Sequence, residues 1–375
     1  MYIQRKLEEI IKKDFNKGKI LVLYGARQVG KTTLVNRLLA DFPDALFFSC
    51  DQEQVRARIR EDVPPLKALF GTSRFVVFDE MQYLKNPGLV LKIIADNFPQ
   101  MTVIATGSSA FDLANKLNEP LTGRHYKFQL YPFSFSEIYE QSDRIEMGFI
   151  VGQNLVYGTY PGVFAIASNE EKARALTSLT DSYLYKDILS FGLVRDSRKV
   201  RELLVVLALQ VGNEVSYNEL ATKLGVGRQT IERYLDLLEK SFVLFRLYGF
   251  SRNLRSEINR KVKIYFYDNG VRNALINNFN SLDLRNDAGA LFENYVVSEI
   301  MKKDELETQK ANFYFWRTYD QKEIDLIREK NAQISAFEVK LSEPKRKISA
   351  KTFLKEYPGS TFEVISMDNL NKFLL

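Results

Sequence analysis

Between Lys19 and Leu130 the apolar residues fall into short runs, ILVLY, ALFFSC, RFVVFDE, TVIATGS and YKFQL, separated by stretches with helical spacing. Runs of this length read as buried strands, and strands alternating with helices predict a parallel sheet in an α/β domain. From Pro132 to about Val211 the period turns helical, with aromatic and polar residues interleaved as in SFSEIYEQ and SLTDSYLYKDIL. Two helices are expected after Ser216, followed up to about Tyr267 by apolar, basic, hairpin-like sequence. From Gly289 a helix precedes the strand-like runs ANFYFWR, EIDLIRE and SAFEVK. The expectation is an α/β multidomain chain divided at 1–131, 132–211, 212–270 and 271–375, without internal repeats.

Composition narrows the class. The 375 residues are 45% hydrophobic and 27% charged, as in ordinary globular domains. No apolar run approaches the ~18 residues of a membrane span. The start, MYIQRKLEEIIKKDF, has a charged amphipathic pattern and no apolar signal core, so a cytoplasmic location without membrane association is expected. Cys50 is the one cysteine and His125 the one histidine, which excludes an intramolecular disulfide and a thiolate or histidine metal cluster. A net charge of +6 mildly favours an anionic partner.

The candidate chemistry starts after LVLY. Gly25-Ala26-Arg27-Gln28-Val29-Gly30-Lys31-Thr32 fits G-x-x-x-x-G-K-[ST], and Thr33 leads into Leu34, Val35, Leu38 and Leu39 at helical spacing. Strand, glycine loop and helix are the context a phosphate loop needs. Gly25 and Gly30 permit the tight turn that points backbone N–H groups at a phosphate, and the helix beginning near Lys31 adds its positive end. Lys31 is expected to reach the β- and γ-phosphates of ATP, and the Thr32 hydroxyl to hold Mg²⁺.

Phe75-Val76-Val77-Phe78 ends in Asp79-Glu80, a buried strand carrying two acids to the sheet's C-terminal edge. Asp79 would hold Mg²⁺ through water; Glu80 would orient and deprotonate the attacking water. The next strand ends in Thr106-Gly107-Ser108-Ser109, where Thr106 or Ser108 would sense the γ-phosphate, unless the segment is only a Gly-Ser turn. Arg124 in LTGR would supply charge to the transition state, in cis or to a neighbouring subunit of an oligomer, or else form a surface ion pair.

These segments resemble the AAA-type ATPases of bacteria and archaea that carry a C-terminal domain of unassigned function. The resemblance rests on IQRKLEEI, GARQVGKTTL, VVFDEMQYL, VIATGSSAF, LTGR, YPFSFSEI, YGTYPGVF, YLYKDIL, GALFENYVVSEI, EIDLI and FEVK, and so runs almost the full length.

SYNELATKLGVGRQTIERYL reads as a helix-turn-helix, with Leu220, Ala221 and Leu224 on one helix, Gly225-Val226-Gly227 in the turn, and Ile231, Leu235 and Leu238 on the next. The basic stretch from Phe242 to Asp268 would form a wing. Ten Lys or Arg face five Asp or Glu between Ser216 and Lys263. In a winged helix Arg228, Gln229 and Arg233 would lie where DNA is contacted. The other reading is a packing or protein-contact module with a solvated charged face.

Near the end, Glu293 lies on an expected helix, Asp325 on a strand, and Glu338 and Lys340 on one side of the next strand. Asp325 and Glu338 could clamp Mg²⁺ or Mn²⁺, with Lys340 activating water. The order resembles the D…E-x-K core of restriction-endonuclease-like domains, with Glu293 as the helix acid. Three functions stay open: ATP-licensed DNA cleavage, a nucleotide-controlled DNA-binding switch with an inactive acidic site, and an ATPase scaffold that contacts protein.

Overall fold

The computed structural model describes residues 2–107, 121–181, 196–250, 262–318, 320–344, 348 and 350–375. They form two units, Met1–Pro132 with Lys240–Phe242, and Phe133–Glu239 with Val243–Leu375.

In the first unit β1 (Ile20–Tyr24), β2 (Leu46–Ser49), β3 (Phe75–Asp79), β4 (Thr102–Gly107) and β5 (His125–Gln129) form a parallel sheet in the order β2-β3-β4-β1-β5. Strands β1, β3 and β4 are buried at every position, so their sequences are near-continuous apolar runs rather than alternating ones. Because β4 pairs with both β1 and β3, the loop after β1 and the acids ending β3 open on one edge, on either side of Thr106.

The second unit begins with helices Phe135–Tyr139, Met147–Tyr157, Pro161–Phe164, Asn169–Leu179 and Ser197–Leu209. Ser134 and Glu137 close a reciprocal capping box on the first, satisfying two backbone donors at its start. Residues 182–195, which include the latter part of the helical SLTDSYLYKDIL segment, lie outside the described residues.

The unit's sheet is mixed. Strands β6 (Glu214–Val215), β7 (Leu244–Gly249), β8 (Val262–Phe266), β9 (Asn312–Arg317), β10 (Glu323–Lys330), β11 (Gln333–Val339) and β12 (Thr361–Ile365) lie in the order β12-β11-β10-β9-β7-β8-β6. Tyr248 pairs with Tyr314 and Gly249 with Phe315 in a parallel β7–β9 ladder. Strands on both sides of the expected division at residue 270 therefore share one sheet, a long-range pairing that local spacing does not reveal. Helix Ala288–Glu305 contributes buried Leu291, Phe292, Tyr295 and Val296 to this unit's core. No helix among the described residues is long and apolar enough to cross a membrane.

Candidate functional site

The glycine loop is shaped by close approach. A Cβ on Gly25 would stand 2.3 Å from the Leu130 carbonyl oxygen, so only glycine lets the loop pass the end of β5. Gln28 and Gly30 take left-handed backbone angles, φ 60° and 95°, and helix Lys31–Leu39 starts directly behind them. Lys31 is buried, and its Nζ donates to the carbonyls of Gly25 at 3.0 Å and Ala26 at 2.9 Å. The ammonium is thus held across the loop by the loop's own oxygens. Ala26 and Val29 are buried, Arg27 and Gly30 half-buried, and Gln28, Thr32 and Thr33 exposed.

Across the edge, Thr32 Oγ1 donates to Asp79 Oδ2 at 2.8 Å, and the Thr106 hydroxyl donates to the other Asp79 oxygen. Glu80 follows in a left-handed conformation, φ 54°, with its N–H on Thr106 Oγ1 at 3.1 Å and its carboxylate accepting from the Gln82 amide. Lys31, Thr32, Asp79, Glu80 and Thr106 are therefore gathered on one sheet edge. Ser108 lies outside the described residues.

A second polar cluster lies in the other unit. The β9–β10 register shifts between Ile324 and Ile327, a bulge that re-aims Asp325. Asp325 Oδ2 accepts from the Val339 N–H at 2.8 Å and stands 3.7 Å from Lys340 Nζ, which pairs with Glu338 Oε1 at 2.7 Å. Glu293 is held by the Tyr265 hydroxyl at 2.6 Å. The four residues expected together are together.

Three more residues join them. Lys263 Nζ, on β8, lies 2.5 Å from Glu323, 3.4 Å from Glu293 and 3.9 Å from Asp325, with its side chain 2% exposed. Tyr265 and Glu323 complete the group. Strands β9 and β7 separate β8 from β10, about 14 Å in a flat sheet, so the contact requires the sheet to curve. No sequence signal distinguishes Lys263 from the other cationic residues of its basic stretch.

The metal role expected of Glu293, Asp325 and Glu338 falls on acids that face two ammonium groups. Among the described residues no three His, Cys, Asp or Glu side chains are grouped to hold a metal ion. Those ammonium groups are Lys263, beside Glu293 and Asp325, and Lys340, beside Asp325 and Glu338. Burial and the Asp325 charge raise the Glu293 carboxyl to about 7 and push Glu338 upward as well. Burial alone would lower Lys263, but Glu293, Asp325 and Glu323 outweigh it and hold its ammonium above the usual value.

The two helices expected after Ser216 are Tyr217–Leu224 and Arg228–Lys240, with Gly225 left-handed at φ 65° between them. Arg228, Gln229 and Arg233 are exposed; Arg228 pairs with Glu232 at 2.9 Å and Arg233 lies over the Tyr234 ring. Arg246 is turned inward onto Asp236 and Glu239. Residues 251–261, the middle of the expected wing, lie outside the described residues.

Comparison with known proteins matches three segments of the chain. A family model described as an AAA domain matches residues 17–139. The chain carries an AAA domain. Domains of unknown function DUF8612 and DUF4143 match residues 150–282 and 288–369 behind it. An uncharacterized protein of Mycobacterium tuberculosis is 27% identical over 335 residues, 88% of this chain and 72% of that protein. One of Methanocaldococcus jannaschii is 22% identical, covering 94% of this chain and 81% of its own length. The Walker-type ATPase of Pyrococcus abyssi shares the fold with a TM-score of 0.53 at 17% identity, over 73% of this chain and 96% of that one.

Two arginines of the first unit, Arg5 and Arg124, differ sharply in burial. Arg124 is not brought to the phosphate loop. Its neighbour His125 pairs with Ile20 at the N-terminal end of β1, whereas the loop follows Tyr24 at the other end. A five-residue strand, about 16 Å, separates them, and Arg124 is tied to Asp96 at 2.6 Å. The parallel register therefore places Arg124 at the sheet edge away from its own chain's phosphate loop. Arg5, which sequence reasoning passed over inside IQRKLEEI, is the buried one. Its guanidinium donates to Val29 O at 2.9 Å and Tyr131 O at 2.5 Å, bracing the loop against the chain leaving β5.

Proposed function

We propose that the AAA domain binds ATP with Mg²⁺ and hydrolyses it. The observation that carries this reading is the Asp79 carboxylate held between the Thr32 and Thr106 hydroxyls, with Glu80 next in the chain. Thr32 and Asp79 have the hard oxygen donors suited to Mg²⁺, which would supply positive charge to phosphate oxygens. The glycine loop, residues 25–30, presents backbone N–H groups to the phosphates, and Lys31 exchanges its two carbonyls for phosphate oxygens. Glu80, with its backbone fixed on Thr106, orients the attacking water and takes its proton. The test is nucleotide binding and phosphate release in Glu80→Gln and Lys31→Ala. Glu80→Gln should bind ATP like wild type and lose roughly 100-fold in turnover, while Lys31→Ala should lose binding. Wild-type turnover in Glu80→Gln would overturn the assignment.

For the rest of the chain, residues 212–270 read as a winged helix presenting Arg228, Gln229 and Arg233 to DNA phosphates, and 271–375 as a restriction-endonuclease-like domain. The Lys263 ammonium among Glu293, Glu323 and Asp325 favours a nucleotide-controlled DNA-binding switch over cleavage. Labelled single-stranded, duplex and branched DNA, with Mg²⁺ or Mn²⁺ and with or without ATP, should show salt-sensitive binding and no cutting. Cutting that disappears in Asp325→Ala would reverse the choice.

A further inference from the structure

Helices Met147–Tyr157, Pro161–Phe164 and Asn169–Leu179 surround a cleft of about 120 Å³. That is several times the ~10–15 Å³ one water needs, and small-molecule sites join apolar walls to a few placed polar groups. Ile150, Val163 and Phe164 supply apolar wall, and Phe149, 70% exposed, stands at the rim.

The polar groups are unusual for such a wall. Lys172 Nζ has a neutral acceptor, Gln153 Oε1 at 3.2 Å, and lies 5.4 Å from the centre of the Tyr157 ring. No carboxylate among the described residues pairs with it. Neighbouring Glu170 turns to Arg174, and Glu171 offers its backbone N–H to Ser168. Tyr157 is fixed by stacking on Phe279, ring centres 5.9 Å apart and planes 6° from parallel. Asn154, 2% exposed, also lines the cleft, and its Nδ2 makes no hydrogen bond; the Tyr295 hydroxyl is close enough to feel the amide but outside bonding geometry.

A cation in apolar surroundings without a counter-anion, beside a buried amide donor without an acceptor, leaves two electrostatic demands unmet. One carboxylate answers both. We propose that this cleft binds a small organic acid, with its carboxylate on Lys172 and Asn154 and its apolar body against Ile150, Val163 and Phe164. Partial burial lowers the Lys172 pKa, a desolvation cost that an anionic partner would offset.

The probes are 3-phenylpropionate and its neutral isostere 3-phenylpropionamide, titrated into the full chain by calorimetry and ligand-observed NMR. Wild type should bind the acid roughly tenfold more tightly than the amide, and Lys172→Met should remove that preference. Lys172→Arg, which keeps the charge, should retain it. Lys172 is partly exposed, so both variants should melt like wild type and the comparison reads binding rather than folding. Equal affinity for acid and amide, an unchanged preference in Lys172→Met, or no binding of the acid at about 10 mM would overturn the proposal.

Discussion

Lys263 Nζ lies 3.4 Å from Glu293 Oε1, and the same oxygen accepts from Tyr265 at 2.6 Å. A strand ending the basic stretch is thereby fastened to a helix that starts more than twenty residues later. The pairing makes the C-terminal acids part of the unit's internal electrostatics, and removing either partner should be felt in its pH behaviour.

Glu293 should impose a loss of stability as pH rises. Its carboxyl, raised by burial and Asp325 from 4.5 to about 7, binds more protons folded than unfolded between those values. The stability it contributes is complete below pH 4.5 and is lost as pH climbs through 7. Denaturant unfolding at pH 5 and pH 8 should show a smaller loss in Glu293→Gln than in wild type. Identical losses would assign the dependence to other groups.

Arg5→Ala should destabilise the first unit by about 2 kcal/mol, because the carbonyls of Val29 and Tyr131 each lose a charged donor. Arg5→Lys should recover part of this, since one ammonium lacks the planar fork that reaches both carbonyls. Thermal unfolding and ATP affinity together test it: wild-type values for both in Arg5→Ala would remove the bracing role.

Arg124→Ala should leave ATP turnover within about twofold of wild type and stability within ~0.5 kcal/mol, as for an exposed pair. A tenfold or greater loss that depends on protein concentration would instead place the guanidinium at another subunit's site.

Gly212→Ala should cost about 1–2 kcal/mol. Its φ of 75° strains any L side chain, and the new Cβ would sit 3.1 Å from Glu293 Oε1. Because the methyl presses on Glu293, Gly212→Ala combined with Glu293→Ala should lose less than the sum of the single changes, measured by a denaturation cycle.

Much of the AAA domain was legible because its signals are local. Strands β1, β3 and β4 are buried runs of five or six residues, and the phosphate loop is a continuous octet whose glycines are demanded by its own backbone. Asp79 and Glu80 ended a buried strand, so their edge followed from strand direction. Glu293, Asp325, Glu338 and Lys340 were recoverable from their order on helix and strands.

What tertiary structure decided was everything dependent on pairing between distant segments. Sequence spacing placed Arg124 next to a strand, but only the parallel register of β1 and β5 puts it at the edge away from the loop. Arg5 gave no sign of burial, because a guanidinium near the start of a charged helix looks solvated until two carbonyls close on it. The meeting of Lys263 with the C-terminal acids depends on a curved sheet joining β8 to β10 through two intervening strands. Local pattern sets which face of an element is apolar; which charges meet is set by how the elements pair, and that is a property of the whole fold.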